Sequence, residues 1–242
     1  MGRKAAKKTA KTAKKAPRRA WRIPLRRWLV RGILVILGLL ALLIASFSVL
    51  PVPVTPYQLS ESRRLGGIEQ EWVPVQYISP VMLRSVVAAE DANYCEHWGF
   101  DIAALRTAIA GGAQRGGSTI SQQTVKNVFL WQGRSWPRKA LEALLTPVIE
   151  LTWSKRRILE VYLNVIEFGE GIFGIQAASQ HYFGLDAADL GPVQAARLSA
   201  ILPDPKSRSA DQPSSFVRRR AAQIRDGAAT IQRDGRASCF EE

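Results

Sequence analysis

Hydrophobic and polar residues follow two different patterns along this chain. From Gly32 to Leu50 there are 19 consecutive uncharged residues, whereas beyond residue 79 apolar residues recur every three or four positions. A helix of that length spans about 28 Å, close to the apolar thickness of a bilayer. The first pattern predicts one membrane-spanning helix over residues 32–50, and the second predicts amphipathic helices around a core.

Glycine and proline divide the second region into predicted helices. Ser79-Pro80 is typical of a helix start, with a capping hydroxyl followed by proline at the first helical position. No alternating run is long enough to predict a strand, so the expected class is mainly α. The predicted helices cover about 80–92, 101–112, 118–129, 137–152, 154–166, 171–182, 191–201 and 214–232.

The net charge of +14 belongs to the N-terminus. Residues 1–31 contain six lysines and seven arginines without an acid, which leaves 21 basic and 20 acidic residues in the rest of the chain. Within this N-terminal segment, the run GRKAAKKTAKTAKKAPRR at residues 2–19 has no apolar surface to bury and is predicted to be disordered. Because positive charge precedes the apolar run and is absent after it until Arg63, the N-terminus is predicted to be cytoplasmic and everything after about residue 51 exported.

Two alternatives to an uncleaved anchor remain open at this point, a buried helix of a soluble protein and a cleaved signal peptide. Ser46-Phe47-Ser48 has the form of a signal-peptide cleavage site, but the apolar run exceeds the roughly 7 to 15 residues of a signal peptide's apolar region. The basic tail alone also resembles a nucleic-acid-binding tail.

The expected organisation is a cytoplasmic tail (1–31), an anchor (32–50), a linker and domain edge (51–78), a catalytic domain (79–235) and a C-terminal tail (236–242).

Glu90 is the first candidate for chemistry. Leu83, Val86, Val87 and Glu90 are spaced i, i+3, i+4 and i+7, which places the carboxyl on the apolar face of a helix. A carboxyl there is either salt-bridged or partly desolvated with a raised pKa, and the second condition suits a general base or acid. A structural ion pair is the alternative.

A glycine pair, hydroxyls and a cluster of cations follow. Gly116-Gly117 leads into Ser118, Thr119, Gln122 and Gln123 at a probable helix start, a pattern that favours an anion but is also typical of a simple cap. Beyond it come Lys126, Arg134, Arg138, Lys139 and Glu142, which could equally form a solvated charged face.

His97 is interpreted as positioning its loop, since no second histidine lies nearby to suggest a metal pair. Cys95 and Cys239 could pair in an oxidising compartment, and the sequence leaves that open.

Taken together, these segments resemble the peptidoglycan glycosyltransferase family, the lysozyme-like domain of bifunctional penicillin-binding proteins and of monofunctional biosynthetic transglycosylases. The resemblance covers roughly residues 60–235. Transpeptidase motifs of the Ser-x-x-Lys and Lys-Thr-Gly types are absent, so the monofunctional form is indicated. The matching segments, in family order, are Glu90-Asp91 through His97-x-Gly99, GGSTISQQ at 116–123, Arg138-Lys139-x-x-Glu142, KRRILEVYLN at 155–164, and Ala195-Ala196-Arg197-Leu198 leading to Leu202-Pro203.

The resemblance implies an inverting glycosyltransferase that polymerises lipid II into β-1,4 glycan strands and releases polyprenyl pyrophosphate. Glu90 matches the catalytic base and Glu142 the second important glutamate. The residues implied to bind sugars or the donor diphosphate are Ser118, Thr119, Gln122, Gln123, Lys126, Arg134, Arg138 and Lys139. No protein side chain is assigned to a metal; a Mg²⁺ ion assisting pyrophosphate departure fits the family, and no organic cofactor is expected.

The expected partners follow from the same resemblance. They are lipid II, the growing lipid-linked glycan chain, the bacterial inner membrane and proteins of cell-wall synthesis or division, with no nucleic acid. The protein is expected to be single-pass with a periplasmic catalytic domain. In the family an apolar subdomain dips into the membrane, here about residues 100–136, with Phe129, Leu130, Trp131 and Trp136 as lipid contacts.

Two other functions remain as alternatives. A lytic transglycosylase or lysozyme-like hydrolase shares the expected fold and a glutamate, but it needs no diphosphate site, so the basic cluster argues against it. A non-enzymatic membrane tether would act through a tail that binds nucleic acid or anionic lipid. Such a tether would tolerate the loss of Glu90.

Overall fold

The computed structural model of this chain describes Gly2 and residues 25–110, 117–133 and 135–241. The predicted disordered tail therefore lies almost wholly outside the described residues. The chain divides into two compact units, one ending at Ala41 and one beginning at Leu42. Helix α1, Leu25–Phe47, is the one helix within the described ranges that is long and apolar enough to cross a bilayer, with a mean hydropathy of 2.6. It begins before the predicted Gly32 because residues 25–31 contain no glycine or proline.

The second unit is mainly helical, as predicted. The helix after Ser79 begins at Pro80 as predicted, but the Ser79 hydroxyl does not cap it, because that hydroxyl donates to the backbone oxygen of Leu190 at 2.8 Å. The hydroxyls of Ser135, Ser154 and Ser214 do accept hydrogen bonds from the first turns of three other helices. The helices are α2 Pro56–Leu65, α3 Pro80–Glu90, α4 Ile102–Ala110, α5 Ile120–Phe129, α6 Trp136–Thr152, α7 Lys155–Val165, α8 Ile175–Phe183, α9 Pro192–Ile201, α10 Ser215–Arg233 and α11 Ser238–Glu241.

Helix α2 lies in a segment whose prolines and glycines indicated irregular backbone. Thr55 and Gln58 form a reciprocal capping box: the Thr55 amide donates to Gln58 Oε1 at 2.8 Å and the Gln58 amide donates to Thr55 Oγ1 at 3.2 Å. Pro56 stands at the start of the helix, and Gly66 ends it in the left-handed conformation. The residues that suggested a linker therefore begin and end a helix.

Three very short strands form a sheet, although no alternation of apolar and polar residues predicted a strand. They are β1 Glu69–Gln70, β2 Glu167–Gly169 and β3 Ile172–Phe173, in the order β1-β3-β2, with β1 parallel and β2 antiparallel to β3. Gly174 has a φ of 83°, and a Cβ there would lie 2.9 Å from the backbone oxygen of Asn164. The helix predicted from residue 171 consequently begins only at Ile175.

The core is centred on α7, in which every residue from Ile158 to Val165 is buried. Helix α3 packs against α9 and α10, and α5 packs against α6 and α7. The three helices α3, α5 and α6, which carry the candidate catalytic and binding residues, thus rest on one tightly packed framework.

The last turn of α1 belongs to the second unit and is hydrogen-bonded to it. The indole Nε1 of Trp153 donates to the backbone oxygen of Ile44 at 2.9 Å, and Arg157 Nε donates to that of Phe47 at 3.0 Å. Arg157 also donates to the backbone oxygen of Leu50. The bond to Phe47 satisfies a carbonyl group of the kind that a helix C-terminus leaves without a partner, and the other two bonds add to the attachment of this segment.

The two cysteines form a disulfide. Cys95 lies in the loop after α3 and Cys239 lies in α11, with 5.7 Å between their Cα atoms and 144 residues between them in sequence. Sequence separation carries no information on that distance, so the pairing could not be derived from the chain alone. Disulfides persist mainly in oxidising compartments.

Candidate active site

Glu90 is the last residue of α3, and its side chain is only 15% exposed. Burial raises the pKa of its carboxyl above the ordinary value, and the negative charge of Asp91 acts in the same direction. The hydrogen bond from Gln123 and the positive charges of Arg220 and Lys126 oppose this rise. The result is a desolvated carboxyl beside two cations, the environment that its position on an apolar helix face predicts.

Gln123 connects Glu90 to the core. Its amide Nε2 donates to Glu90 Oε2 at 3.0 Å and lies 3.4 Å from the backbone oxygen of Ser118, while its Oε1 accepts from the hydroxyl of Tyr162 at 3.2 Å. Tyr162 is 1% exposed. The amide therefore has one possible orientation, because its nitrogen faces two acceptors and its oxygen faces a hydroxyl donor.

Asp91 and His97 fix the loop that follows Glu90. Asp91 Oδ1 lies 2.7 Å from His97 Nε2, and Asp91 Oδ2 accepts from the backbone amide of Ile120 at 3.0 Å, at the start of α5. Thr119 Oγ1 donates to the backbone oxygen of Gly99 at 2.7 Å. The loop is thus tied to the N-terminus of α5, in agreement with a positioning role for His97.

Thr119 and Gln122 cap helix α5. The Gln122 amide donates to Thr119 Oγ1 at 3.3 Å, the Thr119 amide donates to Gln122 Oε1 at 3.1 Å, and both side chains are buried. The side-chain oxygens of both residues already have partners within the protein. Direct contact of these two residues with substrate stays a prediction, and their structural task is to hold Ser118 and Gln123 in place.

The second carboxylate, Glu142, is 2% exposed and is held by two cations of its own helix. Arg138 Nη1 donates to Glu142 Oε2 at 2.7 Å, and Lys139 Nζ pairs with Glu142 Oε1. Lys139 Nζ also donates to Ser118 Oγ at 3.1 Å. This pair of contacts joins the glycine-rich segment to α6.

Lys126 lies on α5, close enough to both carboxylates for each to influence it. Burial lowers the pKa of its ammonium, whereas the charges of Glu142 and Glu90 raise it. The positive charges of Arg138 and Lys139 lower the same pKa. Lys126 is therefore an embedded cation between the two candidate catalytic carboxylates.

Two of the predicted binding residues, Arg138 and Lys139, also line a cavity. The cavity, of about 280 Å³, is lined by Ser135, Trp136, Arg138 and Lys139. Arg134, which the resemblance implies at the donor diphosphate, lies outside the described residues. Of the predicted lipid contacts, Trp131 and Trp136 are exposed, Leu130 is buried, and Phe129 packs against Phe47 and Trp153.

The structure adds two neighbours of Glu90 for which the sequence suggested no role. Tyr162 lies inside the matching segment 155–164, where its hydroxyl could equally have been a core feature. Arg220 lies in the run Arg218-Arg219-Arg220 on α10, a charge run that normally indicates a solvated face, yet its Nη2 is 3.9 Å from Glu90 Oε1. Only the packing of α10 on α3 reveals this proximity.

Comparison with known proteins identifies close relatives. A family model described as Transglycosylase matches residues 59–228. The chain is 61% identical over 213 residues to a biosynthetic peptidoglycan transglycosylase of Jannaschia sp. (strain CCS1), covering 88% of this chain and 89% of the relative. It is 49% identical over 194 residues to the protein of the same description from Caulobacter vibrioides, covering 78% and 85%. A third such protein, from Ectopseudomonas mendocina, is 50% identical over 195 residues, covering 76% and 81%.

Proposed function

Because this chain belongs to the transglycosylase family of peptidoglycan glycosyltransferases, we propose that it polymerises lipid II into β-1,4 glycan strands and releases polyprenyl pyrophosphate. The assignment of roles depends on one observation. The partly buried ammonium of Lys126 is close enough to Glu90 and Glu142 for the charge of each to influence its pKa. The carboxyl of Glu90 is desolvated, and that of Glu142 is paired with two cations. A hydrolase of glycan needs carboxyl groups but no cation cluster for a departing diphosphate. The two alternative functions, glycan cleavage and a non-enzymatic tether, are therefore not favoured.

Glu90 acts as the general base in this proposal. A sugar hydroxyl is a weak nucleophile at neutral pH, so the 4-hydroxyl of the acceptor needs a group that removes its proton as the new bond forms. Burial raises the pKa of Glu90 toward neutral pH, which makes its carboxylate a stronger base. The hydrogen bond from Gln123 holds the carboxylate in one orientation. The hydroxyl oxygen then bonds to the anomeric carbon of the donor from the face opposite the diphosphate, which inverts that centre.

The cations stabilise the departing diphosphate. Pyrophosphate leaves as an anion without protonation when positive charge receives the developing negative charge. Lys126 and Lys139 are the described candidates with side chains at the site, and Glu142 fixes the direction of Arg138 and Lys139. Ser118, through its hydroxyl bond to Lys139, sets the position of that ammonium relative to α5. Arg134 is assigned to the same diphosphate by resemblance.

We propose that a metal ion at this site would depend on the substrate for ligands. They contain no group of three or more His, Cys, Asp or Glu side chains that could hold an ion. Both carboxylate oxygens of Glu142 are already paired with cations. We therefore propose that a Mg²⁺ ion assisting this enzyme binds through the substrate's own phosphates, which is a common mode for this ion.

The membrane is the proposed location of the reaction. We propose that α1 spans the bacterial inner membrane with the basic tail in the cytoplasm and the second unit in the periplasm, as the distribution of 13 positive charges in residues 1–31 favours. Every exposed residue of α6 from Ala140 onward is uncharged, a pattern that suits contact with lipid. A domain held at this surface meets its lipid-linked substrate in two dimensions at high local concentration.

The experiment that tests the function compares purified full-length proteins on lipid II. Glu90→Gln is expected to reduce glycan polymerisation by about 10²-fold or more, because a general base typically contributes 10²- to 10⁴-fold. Glu96→Gln, a matched change at an exposed glutamate of the following loop, is expected to leave the rate near wild type. Deletion of residues 2–20 is expected to change it little. Shortening of preformed glycan without chain growth would contradict the proposal, and so would full activity of Glu90→Gln.

A further inference from the structure

The two carboxylate oxygens of Glu90 have different surroundings. Oε2 accepts the hydrogen bond from Gln123, and that amide is in turn held by Tyr162. Oε1 is buried and accepts no hydrogen bond from any described residue. The two oxygens therefore differ: Oε2 is hydrogen-bonded, whereas Oε1 meets only the charges of neighbouring groups.

Arg220 of α10 is the nearest cation to Oε1. Its Nη2 lies 3.9 Å from Glu90 Oε1, too far for a hydrogen bond but close enough for a strong electrostatic interaction in a partly buried site. Its side chain is 31% exposed, and its Nε is buried without a hydrogen-bond partner among the described residues. Among the residues that the structure describes, Glu90 is the acid that lies within salt-bridge distance of this guanidinium.

The position of Arg220 is set by close packing of two helices. At Gly227, seven residues further along α10, an added Cβ would lie 3.3 Å from the Cβ of Ala88 on α3. Small residues at this crossing bring the backbone of α10 close to the end of α3. Residue 220 falls on the same face as residue 227, two helical turns apart, and therefore reaches Glu90.

We propose that Arg220 is a positioning residue of the glycosyltransferase reaction, whose guanidinium on α10 stands beside Oε1 and favours the ionised carboxylate of Glu90. At 3.9 Å the guanidinium acts through its charge and does not donate a hydrogen bond to the carboxylate. This inference rests on the proposed role of Glu90 as the base. It concerns a residue outside the five segments that carry the family resemblance.

The chemical step is balanced at named atoms. The O–H bond of the acceptor's 4-hydroxyl breaks and its proton passes to the carboxylate of Glu90. The oxygen's electron pair forms the bond to the anomeric carbon, and the bond from that carbon to the diphosphate oxygen breaks with its electrons on the leaving group. Arg220 contributes by favouring the ionised carboxylate before the proton is transferred.

The pH dependence has a defined set of contributors. The charged and titratable groups that face Glu90 are Asp91 beside it, Lys126 of α5, Arg220 of α10 and Tyr162 of α7. An opposite charge at this distance lowers a carboxyl pKa by about 1 to 3 units. Loss of the Arg220 charge should therefore raise the pKa of Glu90, so that more of the enzyme is protonated and inactive at neutral pH.

The test is a pH profile of kcat/KM for lipid II polymerisation by full-length variants. Arg220→Gln is expected to move the acid limb upward by about 1 unit or more, which lowers the rate about tenfold on that limb, with recovery at alkaline pH. Arg220→Lys should restore most of the wild-type profile because it keeps the charge. Arg219→Gln, at the exposed neighbouring position, is the matched control and should leave the profile unchanged.

Each outcome has a definite meaning. An unchanged acid limb in Arg220→Gln, with Glu90→Gln inactive at every pH, would overturn the role of Arg220 and leave the proposed function standing. Activity of Glu90→Gln at the wild-type level would instead overturn the proposed function. A loss of activity in Arg220→Gln that is equal at all pH values would also contradict electrostatic tuning. Arg220→Met, which keeps the aliphatic stem, takes its place in the assay if the glutamine variant does not fold.

Discussion

At the scale of single residues, the candidate site consists of ionisable groups whose partners come from other helices. Glu90 could be selected from the sequence because three apolar residues share its helix face. The groups that determine its behaviour, Gln123, Tyr162 and Arg220, come from α5, α7 and α10. Spacing within one helix cannot report such contacts, since they depend on how separate helices cross.

Tyr162→Phe tests the hydrogen-bonded chain behind Glu90. The change keeps the ring in the core but removes the hydroxyl that donates to Gln123 Oε1, so the amide should orient Glu90 less firmly. A neutral hydrogen bond contributes about 0.5–1.5 kcal/mol, which corresponds to a decrease of about 2- to 10-fold in polymerisation rate. Tyr182→Phe, which removes a hydroxyl bonded to the backbone oxygen of Phe168, serves as control. Equal rates for the two variants would contradict this role of Tyr162.

At the scale of elements, most of the helices could be predicted and the exceptions have clear causes. Helix α2 was hidden because Pro56 and Gly66 were taken as signs of irregular backbone, although they begin and end a helix. Its Glu61 contacts Arg64 on the same helix and Lys206 from a distant loop. A short helix of this kind is stabilised mainly by such tertiary contacts, which the local sequence does not record.

Acid should weaken the attachment of α2. The hydrogen bond from Arg64, with help from Lys206, lowers the pKa of Glu61 from 4.5 to about 2. Because the folded pKa is below the unfolded one, the stabilisation is complete above about pH 4.5 and is lost as the pH falls toward 2. The melting temperature of wild type should therefore fall more steeply over this range than that of Glu61→Gln, as followed by circular dichroism. Glu71→Gln at an exposed position should behave as wild type, and parallel curves for all three would contradict the prediction.

At the scale of the whole molecule, charge, hydropathy and the disulfide agree on the arrangement proposed for the chain. The basic residues precede α1, and the second unit is nearly neutral. Cys95 and Cys239 join the loop after the candidate base to the last helix of the chain. A disulfide fits a periplasmic domain and would be unusual in the cytoplasm.

The disulfide provides a test of both stability and compartment. Removing a native disulfide that closes a long loop typically costs 2–5 kcal/mol, so reductant should lower the melting temperature of wild type. The double variant Cys95→Ala with Cys239→Ala should already melt at the lower temperature and should not respond to reductant. In intact cells, alkylation of free thiols before and after reduction should find the pair oxidised. Free thiols in the cell would contradict the proposed periplasmic location.

The sequence by itself determined the anchor helix, the mainly helical class, the family resemblance and the choice of Glu90 and Glu142. These features depend on local order along the chain: an uncharged run, a 3.6-residue period, caps, and motifs in a set order. Tertiary structure alone decided that Thr119 and Gln122 are occupied as caps, that Cys95 meets Cys239, and that Arg220 faces Oε1 of Glu90. Each of these is a contact between segments brought together by packing, and its energy depends on burial and distance, which exist only after the chain has folded.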